Sequence, residues 1–246
     1  MLGISGSLIA IVFRRGVRVK ESSLRYIVRL GFSGAHLVVS CDVVGAAVTW
    51  HLVAYLWREY LSQPQSITAT EAISTYIEAK DRNLPQLMKR AFVPDCELQM
   101  QLLTDAISFP SSAHGLESVT DVLVRNFGLQ YENVRTFCLS RPESNRLPRF
   151  QCDWLVGMSN KSDGDVRVGC GEYTWDFDTA GDGRVKRLFI KIEFMCVLPA
   201  SYQTPVLQWL SAIPYPWSSY SEARAGLPSI DALTPIAQFL RREAGN

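Results

Sequence analysis

From residue 67 onward, apolar positions recur first at helical spacing and then at strand spacing. Thr68 and Glu71 form a capping box, in which the hydroxyl accepts from the third amide and the glutamate reaches back. Behind it Ile73, Tyr76 and Ile77 fall on one helical face. Asn83 is placed to cap a second helix, with Pro85 tolerated in its first turn and Leu87, Met88, Ala91 and Phe92 turned inward. Pro94 ends that helix. Residues 96–101, CELQMQ, alternate apolar and polar, which predicts a strand with Cys96, Leu98 and Met100 on its buried face. After the loop LTDAISFPSSAHG, a third helix carries the stripe Leu116, Val119, Leu123 and Phe127 and closes at Gly128.

Four strand-like runs follow: NVRTFCL, FQCDWLVGM, DVRVGCGEYTWDFD and RVKRLFIKIEFMCVL. In the last, Leu188, Ile190, Ile192 and Phe194 share one face, and Arg187, Lys191 and Glu193 the other. DTAGDG reads as a hairpin turn, since Arg187 stands where a calcium loop needs its bidentate glutamate. TPVLQWLSAIPYPWSS predicts a short helix ended by prolines, with Trp209, Tyr215 and Trp217 at the rim of the body. The tail after it holds one weak helix over 230–242 and is expected to pack loosely. Long antiparallel strands after a helical beginning predict an α+β fold, with helices on one face of a curved antiparallel sheet.

The first 66 residues break this pattern. MLGISGSLIAIVF precedes RRGVRVK, so the charge follows the apolar run, the reverse of a secretory signal. Residues 30–57 are apolar over the length of a bilayer span. Asp42 near their middle would cost roughly 2.5–3.5 kcal/mol on insertion, and His36 and His51 weaken the span further. Three readings stand: a hydrophobic helix contacting a membrane, a poorly packed extension, or sequence upstream of the true translation start, with the last two favoured. His36, Cys41, Asp42 and His51 match no metal-ligand spacing. The predicted organisation is an extension over 1–66, a folded body over 67–217 and a tail over 218–246.

Composition narrows the partners. The chain has 246 residues and a formal net charge of +1, which gives no argument for nucleic acid. Seven Lys and Arg stand against three acids in residues 1–66, and eighteen against twenty-one in the remainder, so the two segments differ in character. None of the six cysteines forms a C-x-x-C pair, and most lie in strand-like runs. That fits reduced core thiols in a cytoplasmic protein.

Tyr76 in YIEAKDRN, the helix end and Pro-Asp of LMKRAFVPDCEL, Gly115 in HGLESVTDVLVRNF, and the long hairpin GEYTWDFD…GRVKRLFIKIEF together carry a resemblance. Over residues 67–200, and on to Trp217 in YPW, the chain resembles the nuclear transport factor 2-like superfamily, in its SnoaL-like branch. The resemblance implies a cone-shaped curved antiparallel sheet wrapped on three N-terminal helices, the cystatin-like half-barrel. It also implies a homodimer through the convex sheet and an interior hollow. Ketosteroid isomerisation, the best-known chemistry of that superfamily, uses a strand aspartate, a tyrosine and a protonated acid. By resemblance Tyr76 falls on the oxyanion tyrosine, whereas the base position falls on Met100 and the acid position near Tyr173. A thioether accepts no proton at neutral pH, so that set does not carry the reaction here.

Other residues supply alternatives. Tyr76 is an oxyanion donor or a core tyrosine with a satisfied hydroxyl. His114 with Asp105 is a general acid/base pair or a solvated loop histidine. Asp153 is a base with its pKa raised by burial if it faces the cone, or else an outward or salt-bridged acid. Phe92, Met100, Tyr173 and Trp175 are the expected pocket lining. No metal or organic cofactor is called for. The expected function is a small-molecule pocket protein for an apolar carbonyl compound, working as a cofactor-independent lyase or isomerase. The competing reading is a non-catalytic ligand-binding or dimerisation module.

Overall fold

The computed structural model describes residues 12–15, 24–32 and 35–43 as backbone and residues 66–242 in full. The chain divides into two compact units, Met1–Pro64 and Gln65–Asn246. In the first, β1 (Val12–Arg15), β2 (Leu24–Phe32) and β3 (Ala35–Val43) form an antiparallel sheet. Val28 pairs with Val39 and Leu30 with Leu37. The hydrophobic helix considered for residues 30–57 is therefore replaced by strand over 35–43, where Val38, Val39 and Val43 favour extended backbone. Residues 44–57, with His51, lie outside the described residues. Among the described residues, no helix is long and apolar enough to cross a membrane.

The second unit begins with α1 (Ala69–Asp81), capped by Thr68 and Glu71 in the reciprocal box that the sequence predicts. The Glu71 carboxyl is held below its usual range by the bonds it accepts from the Thr68 amide and hydroxyl. Ile73, Tyr76 and Ile77 are fully buried. The second helix is shorter than its pattern suggests, a 3₁₀ turn Pro85–Leu87 running into α2 (Met88–Ala91). Strand β4 (Phe92–Leu102) follows at once and absorbs Pro94. Next come the short edge strand β5 (Ser112–His114) and a helix in three parts: α3 (Leu116–Thr120), a π turn Asp121–Arg125, and α4 (Asn126–Gln130). Gly128 lies within α4, where its missing Cβ leaves room for Asn83.

Strands β6 (Tyr131–Cys138), β7 (Arg149–Asn160), β8 (Val166–Phe177) and β9 (Val185–Leu198) form an antiparallel meander. The full order is β5-β4-β9-β8-β7-β6. One expectation fails: β4 pairs with β9 in parallel, Leu98 beside Leu188 and Met100 beside Ile190, so the sheet is mixed. Strands β4 and β9 are brought together by a long connection, not by a hairpin, and a long connection permits either direction.

A bulge where Cys170–Gly171 meets Phe194–Ile192 leaves Glu193 unmatched. Beyond it the faces of β9 exchange. Ile192 and Met195 therefore look inward, while Phe194, expected inward, is exposed on the other side. Gly171 is required there, since a Cβ would come within 1.9 Å of the Lys191 carbonyl oxygen.

Each face of the sheet is buried against its own layer. The inner face packs Leu98, Met100, Trp154, Tyr173, Trp175, Leu188 and Ile190 against α1 and its neighbours. The outer face, with Leu155, Val166, Val168, Cys170 and Leu198, is covered by the C-terminal chain. That cover consists of α5 (Gln203–Ala212), α6 (Tyr220–Arg224) and α7 (Thr234–Phe239). Trp209, Leu210, Leu233, Ile236, Phe239 and Leu240 are buried in it. Residues 218–242 are thus a packed layer, not a loose tail. They occupy the sheet face through which a homodimer was expected, and Trp209 packs there with its indole donating to the Ala223 carbonyl at 2.9 Å.

Candidate ligand cavity

Helix α1 and strands β4, β7, β8 and β9 line a partly open cavity of about 40 Å³. That is roughly three times the ~10–15 Å³ that admits one water. Its wall is almost wholly apolar: Met100, Trp154, Val156, Met158, Ile190, Ile192 and Met195 from the sheet, Leu123 and Phe127 from the third helix. Residues 103–111 contribute Ile107 and Phe109, with Phe109 stacked on Phe127 at 6.3 Å. The polar residues on the wall are Tyr76, Tyr173 and Lys80.

Tyr76 is positioned by the apolar stripe of α1 and wedged among aromatic rings. Trp175 lies at 5.3 Å, Phe92 at 5.8 Å and Tyr173 at 6.3 Å, all edge-on. Its hydroxyl is buried beside that of Tyr173, which is oriented to donate to it, and finds no acceptor for its own proton; the indole N–H of Trp154 is likewise without an acceptor. Burial drives the Tyr76 phenol well above its ordinary pKa, so it stays a neutral donor, and Tyr173 beside it is raised for the same reason. Two donors without acceptors on a greasy wall are costly, about 1–3 kcal/mol each. Of the expected lining, Met100 and Tyr173 reach the cavity. Phe92 and Trp175 stand behind it and hold Tyr76.

The sequence reading passes over Lys80, one turn beyond Tyr76 on the same stripe. It is buried, lines the cavity, and sits 4.8 Å from the centre of the Phe127 ring. Its Nζ donates to Asp81 Oδ1 at 2.9 Å and to Thr136 Oγ1 at 2.6 Å. Asp81 is nearly inaccessible as well. It accepts further bonds from the Thr136 hydroxyl and amide, both at 2.7 Å, and from the Tyr215 hydroxyl at 3.1 Å. This network ties the end of α1 to β6. A lysine continuing an otherwise apolar helical face was the available signal, since such a cation must be paired.

The proposed acid/base residues do not converge. His114 is exposed on edge strand β5 opposite Glu97, and Asp105 is exposed in the 103–111 segment. No hydrogen bond or ion pair joins them among the described residues. Asp153 lies across the sheet from Tyr76. Its neighbours Trp154, Val156 and Met158 alternate into the cavity, so Asp153 points into the outer layer and accepts from the Tyr220 hydroxyl at 2.7 Å. Its pKa is raised, as expected of a buried carboxyl, chiefly by desolvation and then by Glu172 and Glu193; the Tyr220 bond and Arg242 oppose the shift.

Because the folded form holds this proton more tightly than the unfolded chain, Asp153 favours the fold below its unfolded pKa. That contribution is lost as pH rises through the folded value. Tyr220→Phe removes a bond that steadies the carboxylate and is expected to raise the Asp153 midpoint further in a carboxyl NMR titration. A midpoint that stays put or falls would refute this account. Glu71 and Glu222, held low by their helix caps, act with the opposite sign and lose their contribution as pH falls.

Among the described residues, no group of three or more His, Cys, Asp or Glu side chains could hold a metal ion. Cys96, Cys138, Cys152 and Cys170 are buried free thiols.

Two opening helices, the long strand β4, a third helix and a four-stranded meander make an α+β body of the kind seen in solved structures described as nuclear transport factor 2-like. Solved structures of that description are similar to it. One is a nuclear transport factor 2-like protein of unknown function from Burkholderia pseudomallei, 17% identical, spanning 49% of this chain and 87% of its own, with a TM-score of 0.40. Another is a protein with a ketosteroid isomerase-like fold from Catenulispora acidiphila, in complex with trimethylamine, at 12% identity, 50% and 85% coverage and a TM-score of 0.40. A third is described as a scytalone dehydratase from Novosphingobium aromaticivorans, at 14% identity, 60% and 89% coverage and a TM-score of 0.37. The likeness concerns the fold alone. Neither a protein-family model nor a curated protein matches the chain.

Proposed function

We propose that the body binds a small, largely apolar molecule carrying an oxygen acceptor, in the manner of a SnoaL-like pocket, and does so without moving protons. The Tyr76 hydroxyl on the cavity wall, its proton without an acceptor, carries this reading. A carbonyl oxygen placed there would satisfy Tyr76, and Trp154 offers a second donor. No carboxylate and no histidine line the cavity among the described residues, so the binding-module alternative is preferred to the lyase or isomerase. Buried free thiols suit a reducing, cytoplasmic setting.

Tyr76→Phe separates binding from folding. Removing this hydroxyl while keeping the ring is expected to leave the ligand-free protein as stable as before, or up to ~1–3 kcal/mol more stable. Affinity for an aliphatic ketone such as 2-nonanone should fall about five- to tenfold, the value of one hydrogen bond. Thermal unfolding and calorimetric titration measure the two effects. Equal ketone affinity in both proteins would remove the role given to Tyr76.

A further inference from the structure

Residues 103–111 hold a second clue. Their ends are fixed by backbone bonds, Leu103 N–H to the Ile192 carbonyl at 2.9 Å and Met100 N–H to the Ser111 carbonyl at 2.8 Å. Between these anchors the segment has no helix or strand, and it plugs the cavity with Ile107 and Phe109. Its middle is held from the sheet by Arg167, whose Nη1 donates to the Ala106 carbonyl. Arg167 stands opposite the cavity-lining Met158 in the ladder and so shares its sheet face, behind the plug and not on the cavity wall, with its guanidinium 5.7 Å from the Tyr131 ring.

Arg167 is under-used. Its Nε is buried without an acceptor, and no carboxylate pairs with it among the described residues. Lys80, the cation that lines the cavity, is neutralised by Asp81. A guanidinium fork with a free buried donor matches a carboxylate, which takes two parallel N–H bonds. A cavity of about 40 Å³ is far below the ~300 Å³ or more that small-molecule sites offer, so the plug must leave when a ligand arrives.

We propose that the ligand is an apolar carboxylic acid. Its carboxylate takes the Arg167 fork in place of the Ala106 carbonyl, and its tail fills the space held by Ile107 and Phe109. Residues 103–111 thereby open as the acid binds. This rests on the cavity-binding reading above and adds to it the class of ligand and the group that recognises it.

The test is calorimetric titration of the full chain at pH 8 with decanoate and with 1-decanol, repeated on Arg167→Met and Arg167→Lys. The wild-type protein is expected to bind decanoate at least tenfold more tightly than decanol. Arg167→Met should abolish that preference and leave decanol affinity within twofold, while Arg167→Lys, which keeps the charge but loses the fork, should retain only part of it. Equal affinity for acid and alcohol in the wild type overturns the proposal and leaves the binding reading intact, as does a preference that survives Arg167→Met. Failure of both probes to bind the wild type overturns the proposal, and it overturns the binding reading as well only if 2-nonanone also fails to bind.

Discussion

Replacing Asp81 with alanine is expected to destabilise the body by about 3–5 kcal/mol, the cost of stranding a buried charge. Asp81 receives four donors, and each loses a bond: the Lys80 ammonium, which also loses its counter-charge, the Thr136 hydroxyl and amide, and the Tyr215 hydroxyl. The ammonium dominates, because it lies against an apolar cavity and keeps only the neutral Thr136 hydroxyl and the Phe127 ring as neighbours. Urea unfolding should show the loss as a lower midpoint. Lys80→Met with Asp81→Ala should cost less than Asp81→Ala alone, since a methionine needs no counter-charge. Were the double variant the less stable of the two, the network would matter for its hydrogen bonds and not for its charges.

Ending the chain at residue 217, the boundary suggested by the sequence, is expected to abolish cooperative folding. The removed segment buries Leu233, Ile236, Phe239 and Leu240 at 1% exposure or less. At ~1.5–3 kcal/mol for each fully buried side chain, that is roughly 6–12 kcal/mol, comparable to the whole stability of a domain, ~5–15 kcal/mol. Val166, Val168 and Cys170 on β8, the strand that α7 covers, would also face water and invite association. Circular dichroism and light scattering of the shortened chain check this. A monomeric, cooperatively melting product would show that the outer layer is dispensable.

Local features were legible because local chemistry determines them. The Thr68–Glu71 box, the inward Ile73, Tyr76 and Ile77, and the alternation of Leu188, Ile190 and Ile192 all follow from spacing along one element. Relations between elements were not. Alternation in β7 separates Asp153 from Trp154 but does not say which of them meets α1, and Asp153 proved to lie outside. Nor does periodicity register an unmatched residue such as Glu193, after which Phe194 changes sides. The outer layer did leave a trace. Strands β7 and β8 are apolar on both faces, with Leu155, Val166, Val168 and Cys170 opposite the cavity set, and a doubly apolar sheet demands two covers.

The parallel partnership of β4 with β9 bears on how the chain acquires its shape. Leu98 must find Leu188, ninety positions later, with no hairpin to guide it. Closing so long a loop carries an entropic term of roughly 4 kcal/mol by the logarithmic law. The meander β6–β9 closes through near neighbours and should assemble first, with β4 and the helices docking onto it afterwards. During synthesis the greasy side of β4 therefore leaves the ribosome long before its neighbour exists, and the nascent chain passes through an interval in which chaperone capture or premature sticking competes with completion.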